Sequence, residues 1–97
     1  MVRKIFTLDG HIMETKDGFY DEVERVLCPE IDYFGRNWDA FNDILRGGFG
    51  SFDYGEDITI EFKHKKWVEK HLGSVFFEMF EDIMKDHDHV HLVYLED

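Results

Sequence analysis

The sequence predicts an α/β fold: a three-stranded parallel sheet flanked by about four helices, in the order β-α-α-β-α-α-β. Three observations predict it. Short runs rich in β-branched and aromatic residues lie near the start, middle and end of the 97-residue chain. Between them fall four stretches whose apolar residues recur at helical spacing. Strands joined by connections of that length pair in parallel, with right-handed crossovers.

The first strand runs from Arg3 to Leu8, and Asp9-Gly10 closes it as a turn dipeptide before a short extended piece at His11-Ile12. Thr15-Lys16-Asp17 offers capping oxygens to a first helix whose inner side is Phe19, Tyr20, Val23, Val26 and Leu27. Pro29 stops that helix. Its outer side, Asp21, Glu22, Glu24 and Arg25, reads as a solvated surface. Asn37 is a good N-cap for a second helix, with Trp38, Phe41, Ile44 and Leu45 as a buried stripe. Asp39, Asn42, Asp43 and Arg46 fall at i, i+3, i+4 and i+7 on a different stripe. Asp39 also sits in the first turn, where the helix dipole favours a carboxylate.

Residues Gly47 to Asp57 hold four glycines and three aromatics and form a loop, whose rings either fold back on the core or meet a partner. Ile58 to Phe62 alternates as the second strand. Lys63, His64, Lys65 and Lys66 open a third helix as a solvated basic start, followed by Trp67, Val68, His71 and Leu72 and ended by Gly73. Ser74 is expected to cap a fourth helix with Phe76, Phe77, Phe80, Ile83 and Met84 inward. The last strand, Val90 to Leu95, is apolar almost throughout, as in a strand covered on both faces. Residues 1–97 are expected to make one domain.

An apolar fraction of 43% with ten phenylalanines argues for a folded globule. No apolar run approaches a membrane span, and Met1 to Ile5 lacks the apolar segment of a signal peptide. The single cysteine, Cys28, excludes an internal disulfide, suits a cytoplasmic location and reads as a structural thiol. Twenty-two acidic against eleven basic residues give a net charge of −11. Such a chain repels phosphate, which argues against direct nucleic-acid or anionic-membrane binding. It attracts a basic partner at long range, unless the excess acid serves only solubility.

Catalysis finds little support. Gly47-Gly48-Phe49-Gly50 lacks the Lys-Ser/Thr of a phosphate loop. His87, His89 and His91 would share one face of an extended run and could ligate a metal. They straddle a helix end and a strand start, however, with no completing ligand, so no metal or cofactor is expected. Asp39 and Asp43, one turn apart, are either a carboxylate pair or an acidic face.

The run Tyr33-Phe34-Gly35-Arg36-Asn37-Trp38-Asp39-Ala40, followed by Asp43 and Leu45, resembles the barstar family of bacterial ribonuclease inhibitors. There the pattern is aromatic-aromatic-Gly-x-Asn-x-Asp-Ala, with a second Asp one turn on. The resemblance implies the fold already derived, and an inhibitor rather than an enzyme. It also implies a partner: a basic microbial ribonuclease whose active site the acidic helix enters as a phosphate mimic, the free inhibitor being a monomer. Carried over, Asp43 matches the central aspartate and Asp39 the preceding carboxylate. Tyr33 matches the aromatic that covers the enzyme's catalytic histidine, next to Phe34 and Arg36. Gly35 gives close backbone approach, Asn37 the cap, and Asp82 a peripheral acid. Asn42 replaces a family tryptophan, leaving polar contact there, and Arg46 stands where the interface continues. The alternative is an immunity or antitoxin protein of the same fold with a non-ribonuclease partner.

Overall fold

The computed structural model describes residues 3–31 and 34–95. Three strands, β1 (Lys4–Asp9), β2 (Ile58–Lys63) and β3 (Val90–Tyr94), form a parallel sheet in the order β1-β2-β3. Helices α1 (Lys16–Leu27) and α2 (Trp38–Leu45) connect the first pair, and α3 (Lys65–Leu72) and α4 (Ser74–Lys85) the second. The predicted α/β order is the one observed.

The strand order decides where the helices go. Two right-handed crossovers that advance in the same direction place both helix pairs on one face of the sheet. Phe6 and Leu8, then Ile58, Ile60 and Phe62, then Val90 and Leu92 share that face in register. On it lies the core, which includes Phe19, Val23, Leu27, Phe41, Ile44, Leu45, Phe77 and Phe80. The opposite face meets solvent: Ile5 is 59% exposed and Val93 43%. The expectation that β3 is covered on both faces is therefore corrected. Its apolar run reflects an edge strand with one side packed and Val93 outward.

Local chemistry fixes the elements. Thr15 caps α1 by accepting from the Gly18 amide, and Cys28 ends it one residue before Pro29. Burial, reinforced by Glu24, pushes the Cys28 thiol up to about 11, leaving it inert. Residues 10–12 form a 3-10 turn rather than an extended piece, because Asp9 Oδ1 accepts from the His11 amide at 3.0 Å. Ser74 does not cap α4. Gly73, at φ +88°, is the cap, and Ser74 is the first helical residue. Lys65 is not simply solvated either: its ammonium lies 4.4 Å from the Tyr94 ring centre and 3.8 Å from Glu81, which accepts from the Tyr94 hydroxyl at 2.7 Å.

The largest departure is Glu22. The alternation of α1 puts it among outward charges, yet it is fully buried. Its carboxylate accepts from the Asp9 amide at 2.7 Å and from both forks of Arg25 at 2.7 and 2.9 Å. A buried carboxylate is tolerable only when so satisfied. The bonds tie α1 to the end of β1, so Glu22→Ala strands the Asp9 amide and opens a void. The expected cost is about 2–3 kcal/mol, read as a lower midpoint in urea unfolding.

Candidate functional site

Helix α2 begins where the Asn37 side chain accepts from the Ala40 amide at 2.8 Å, as the sequence predicts. Its inner side is held by rings. Phe41 stacks on Phe80 at 5.7 Å and meets Phe19 edge-on at 5.3 Å, while Trp38 lies 5.7 Å from Phe19 and 5.4 Å from Phe76. With Phe41, Ile44 and Leu45 buried, the helix cannot roll, and Asp39 and Asp43 are exposed. Asp39 has no hydrogen bond or ion pair among the described residues. Asp43 has an ion pair at 3.6 Å with exposed Arg46, a distance and setting in which such pairs contribute little.

The remaining predicted residues divide. Phe34 is only 7% exposed and packs edge-on against Tyr20 at 5.8 Å, so its ring belongs to the core and not to the outer surface. Gly35 lies against the helix: a Cβ there would stand 3.3 Å from that of Ala40. Arg36 is engaged within the chain, donating to Asp21 at 2.6 Å and to the Asp17 carbonyl at 3.0 Å, with Glu24 at 3.5 Å. It straps the loop before α2 to α1. Asp82 is exposed on α4, which packs beside α2. Tyr33 lies outside the described residues.

The C-terminal end of α2 carries features that sequence reasoning missed. A helix end leaves carbonyls without partners, and here the chain supplies donors from afar. The His89 imidazole meets the Leu45 carbonyl at 2.6 Å, and since a carbonyl only accepts, Nε2 of His89 holds the proton. The Gly55 amide donates to the Arg46 carbonyl at 2.9 Å. Gly47 permits this closure: at φ +92° a side chain is strained, and its Cβ would lie 2.3 Å from the Asp53 carbonyl oxygen. Asn42, predicted as a polar partner contact, is already engaged, its Oδ1 2.7 Å from His87 Nε2. His87 and His89 therefore fasten α2 to the segment before β3. His91 instead lies 3.7 Å from Asp57, so the three histidines do not converge on one point. The Asp-His alternation at 86–89 was the one signal in the sequence, and it says nothing about which helix the imidazoles reach.

The aromatics of the glycine-rich loop split between their two readings. Phe52 is buried beside Phe6 at 5.6 Å, whereas Tyr54 is 79% exposed. Tyr54 forms one rim of a cleft of about 460 Å³, whose walls include Asn42, Arg46, Asp86, His87 and His89. Exposed carboxylates on α2 thus continue into a polar cleft with an aromatic edge. Such a surface offers acceptors to guanidinium and ammonium groups and a ring for stacking. Among the described residues, no helix is long and apolar enough to cross a membrane.

A family model described as Barstar (barnase inhibitor) matches residues 3–93. Among curated proteins none matches the chain.

Burial, followed by the nearby His89 and Arg46 charges, holds the His87 imidazole below its ordinary 6.5. As pH falls the unfolded chain takes up this proton first, so the stability contribution is complete above 6.5 and is lost as pH drops toward the folded pKa. Thermal midpoints measured from about pH 7.5 down to about pH 5.5 should therefore decline in the parent. His87→Gln, which cannot titrate, should lose less over that window while starting lower.

Proposed function

Since the chain belongs to the barstar family of barnase inhibitors, whose members are inhibitors and not enzymes, we propose that it blocks the active site of a basic ribonuclease with α2. Asp43 and Asp39 stand in for RNA phosphates and accept hydrogen bonds from the arginines, lysines or histidines that would otherwise hold the substrate. The observation that carries this reading is the state of Asp39: an exposed carboxylate on a rigid helix, without a cation of its own chain among the described residues to neutralise it. A helix already fixed by its aromatic side loses little freedom when a partner binds, which favours tight association. The net charge of −11 draws a cationic enzyme in at long range and speeds encounter.

Tyr33, from the family pattern, covers the enzyme's catalytic histidine. Arg46, Asn42 and Tyr54 widen the contact into the polar cleft, and Asp82 adds a peripheral acid. Here Asn42 acts indirectly, through its bond to His87. In the cell the complex keeps the ribonuclease silent inside its producer, an antitoxin role in the cytoplasm, and the inhibitor is a monomer until it meets the enzyme.

Titration of the cognate ribonuclease in an RNA-cleavage assay tests the proposal. Asp43→Ala should weaken inhibition most, by about 2 kcal/mol or more and thus about 30-fold or more, the general threshold for interface hot spots, of which a barstar aspartate against barnase is itself an extreme example. Asp39→Ala should follow, and both should keep the parent's thermal midpoint, because neither side chain is buried. An Asp43→Ala protein that inhibits as well as the parent overturns the proposal. Capture of a basic protein with no ribonuclease activity would transfer the same surface to a different toxin.

A further inference from the structure

At the C-terminal edge of the sheet, away from the α2 carboxylates in sequence, three side chains from three segments converge. Asp9 ends β1, His11 lies in the 3-10 turn that follows, and His64 joins β2 to α3. One potential ligand atom from each lies within 4.8 Å of the other two. We propose that Asp9, His11 and His64 form a binding site for a divalent transition-metal ion, with zinc the best match.

The donor set suits that chemistry. Two imidazoles and one carboxylate are the mixed nitrogen–oxygen ligands that zinc takes, with a fourth position left for water. Ligand atoms on a tetrahedral zinc stand about 3.3 Å apart, given bonds of about 2.0 Å. Because the two imidazoles lie nearly parallel, one of them turns out of the stack about its side-chain torsions to bring both in-plane lone pairs onto one ion. The ligand atoms then close from within 4.8 Å to about 3.3 Å. His11 is exposed while Asp9 and His64 are half-buried, which leaves the ion a path from solvent.

The backbone beneath these side chains is fixed more tightly than a surface turn requires. Asp9 pairs with Lys63 in the sheet register, one residue before His64. Gly10 presses on this junction: a Cβ there would meet the Lys63 carbonyl oxygen at 2.3 Å and that of His64 at 3.0 Å. His64 adopts the left-handed conformation, φ 62° and ψ 45°, uncommon for a residue with a side chain and found where a site constrains it. The buried Glu22 carboxylate holds the Asp9 amide, and Asp9 in turn caps the turn that carries His11. The two imidazole rings stack at 3.7 Å and 6°, with Trp67 edge-on to His11 at 5.2 Å, so the fold brings the rings together and an ion must part their faces.

The charge around the trio is mixed: the chain carries a net charge of −11 and Lys65 is drawn to the Tyr94 ring and Glu81, while Lys63 and Lys66 flank the site from exposed positions. An ion here would clamp the end of β1 to the start of α3 and stabilise the folded state by mass action.

Isothermal titration of the dialysed full chain with zinc chloride, together with thermal midpoints in zinc and in EDTA, tests the site. The parent should bind one zinc per chain and melt higher in zinc. His11→Gln, an exposed position, should weaken that binding by about 100-fold or more, since losing even an outer partner of a ligand costs about 10–100-fold. His64→Asn, which tolerates the left-handed conformation, should do the same. His91→Gln and Asp43→Ala should bind zinc as the parent does. A parent that binds no zinc overturns the proposal, as does a folded His11→Gln protein that binds it with unchanged affinity and raises its midpoint equally. Should His64→Asn fail to fold, the His11 variant still decides.

Discussion

The packing of α2 into a bed of aromatic rings is the constraint on which the rest of the molecule depends. Phe41 lies between Phe19 and Phe80, and Trp38 leans on Phe19 and Phe76, so α1, α2 and α4 meet at one cluster. Aromatic side chains bury a large apolar area and prefer the edge-to-face and offset contacts seen here. Their shape also fixes the rotation of the helix, which a slippery aliphatic contact would do less well. Once the inner side of α2 is set, the directions of Asp39 and Asp43 follow. The acidic surface is a consequence of the core.

Both ends of α2 are then closed by different means. At the start, a side-chain cap from Asn37 and the Arg36 strap hold the incoming loop against α1. At the finish, the orphan carbonyls receive the His89 imidazole and the Gly55 amide, groups well outside the helix in sequence. The helix has only eight residues, too few to persist in water on propensity alone. Anchoring at both ends and along one side makes it a rigid display.

The strong negative charge is compatible with folding because the acids are dispersed and several have local partners. Arg36 faces Asp17, Asp21 and Glu24, Arg25 satisfies Glu22, and Lys4 pairs with Glu56. The histidines serve different ends. His87 and His89 support α2, His71 bonds the Trp67 carbonyl, and His11 stacks on His64 beside Asp9. Adjacency in sequence groups His87, His89 and His91, whereas the fold groups His11 with His64.

Local patterning missed the 3-10 turn at residues 10–12 and the Gly73 cap of α4. It was enough to determine the three strands and four helices, their order, the Asn37 cap and the face of α2 that carries Asp39 and Asp43. Each of these follows from spacing within a single helix or strand, which the chain itself encodes. Tertiary structure decided the rest. Glu22 is buried because α1 lies over the end of β1, and Phe34 turns into the core because its loop is pinned beneath Tyr20. Val93 is outward because successive right-handed crossovers leave one sheet face bare. The meeting of Asp9 and His11 with His64 needs β1 and β2 in register across more than fifty residues. Periodicity is blind to such partners, since they depend on which distant segments are brought into contact.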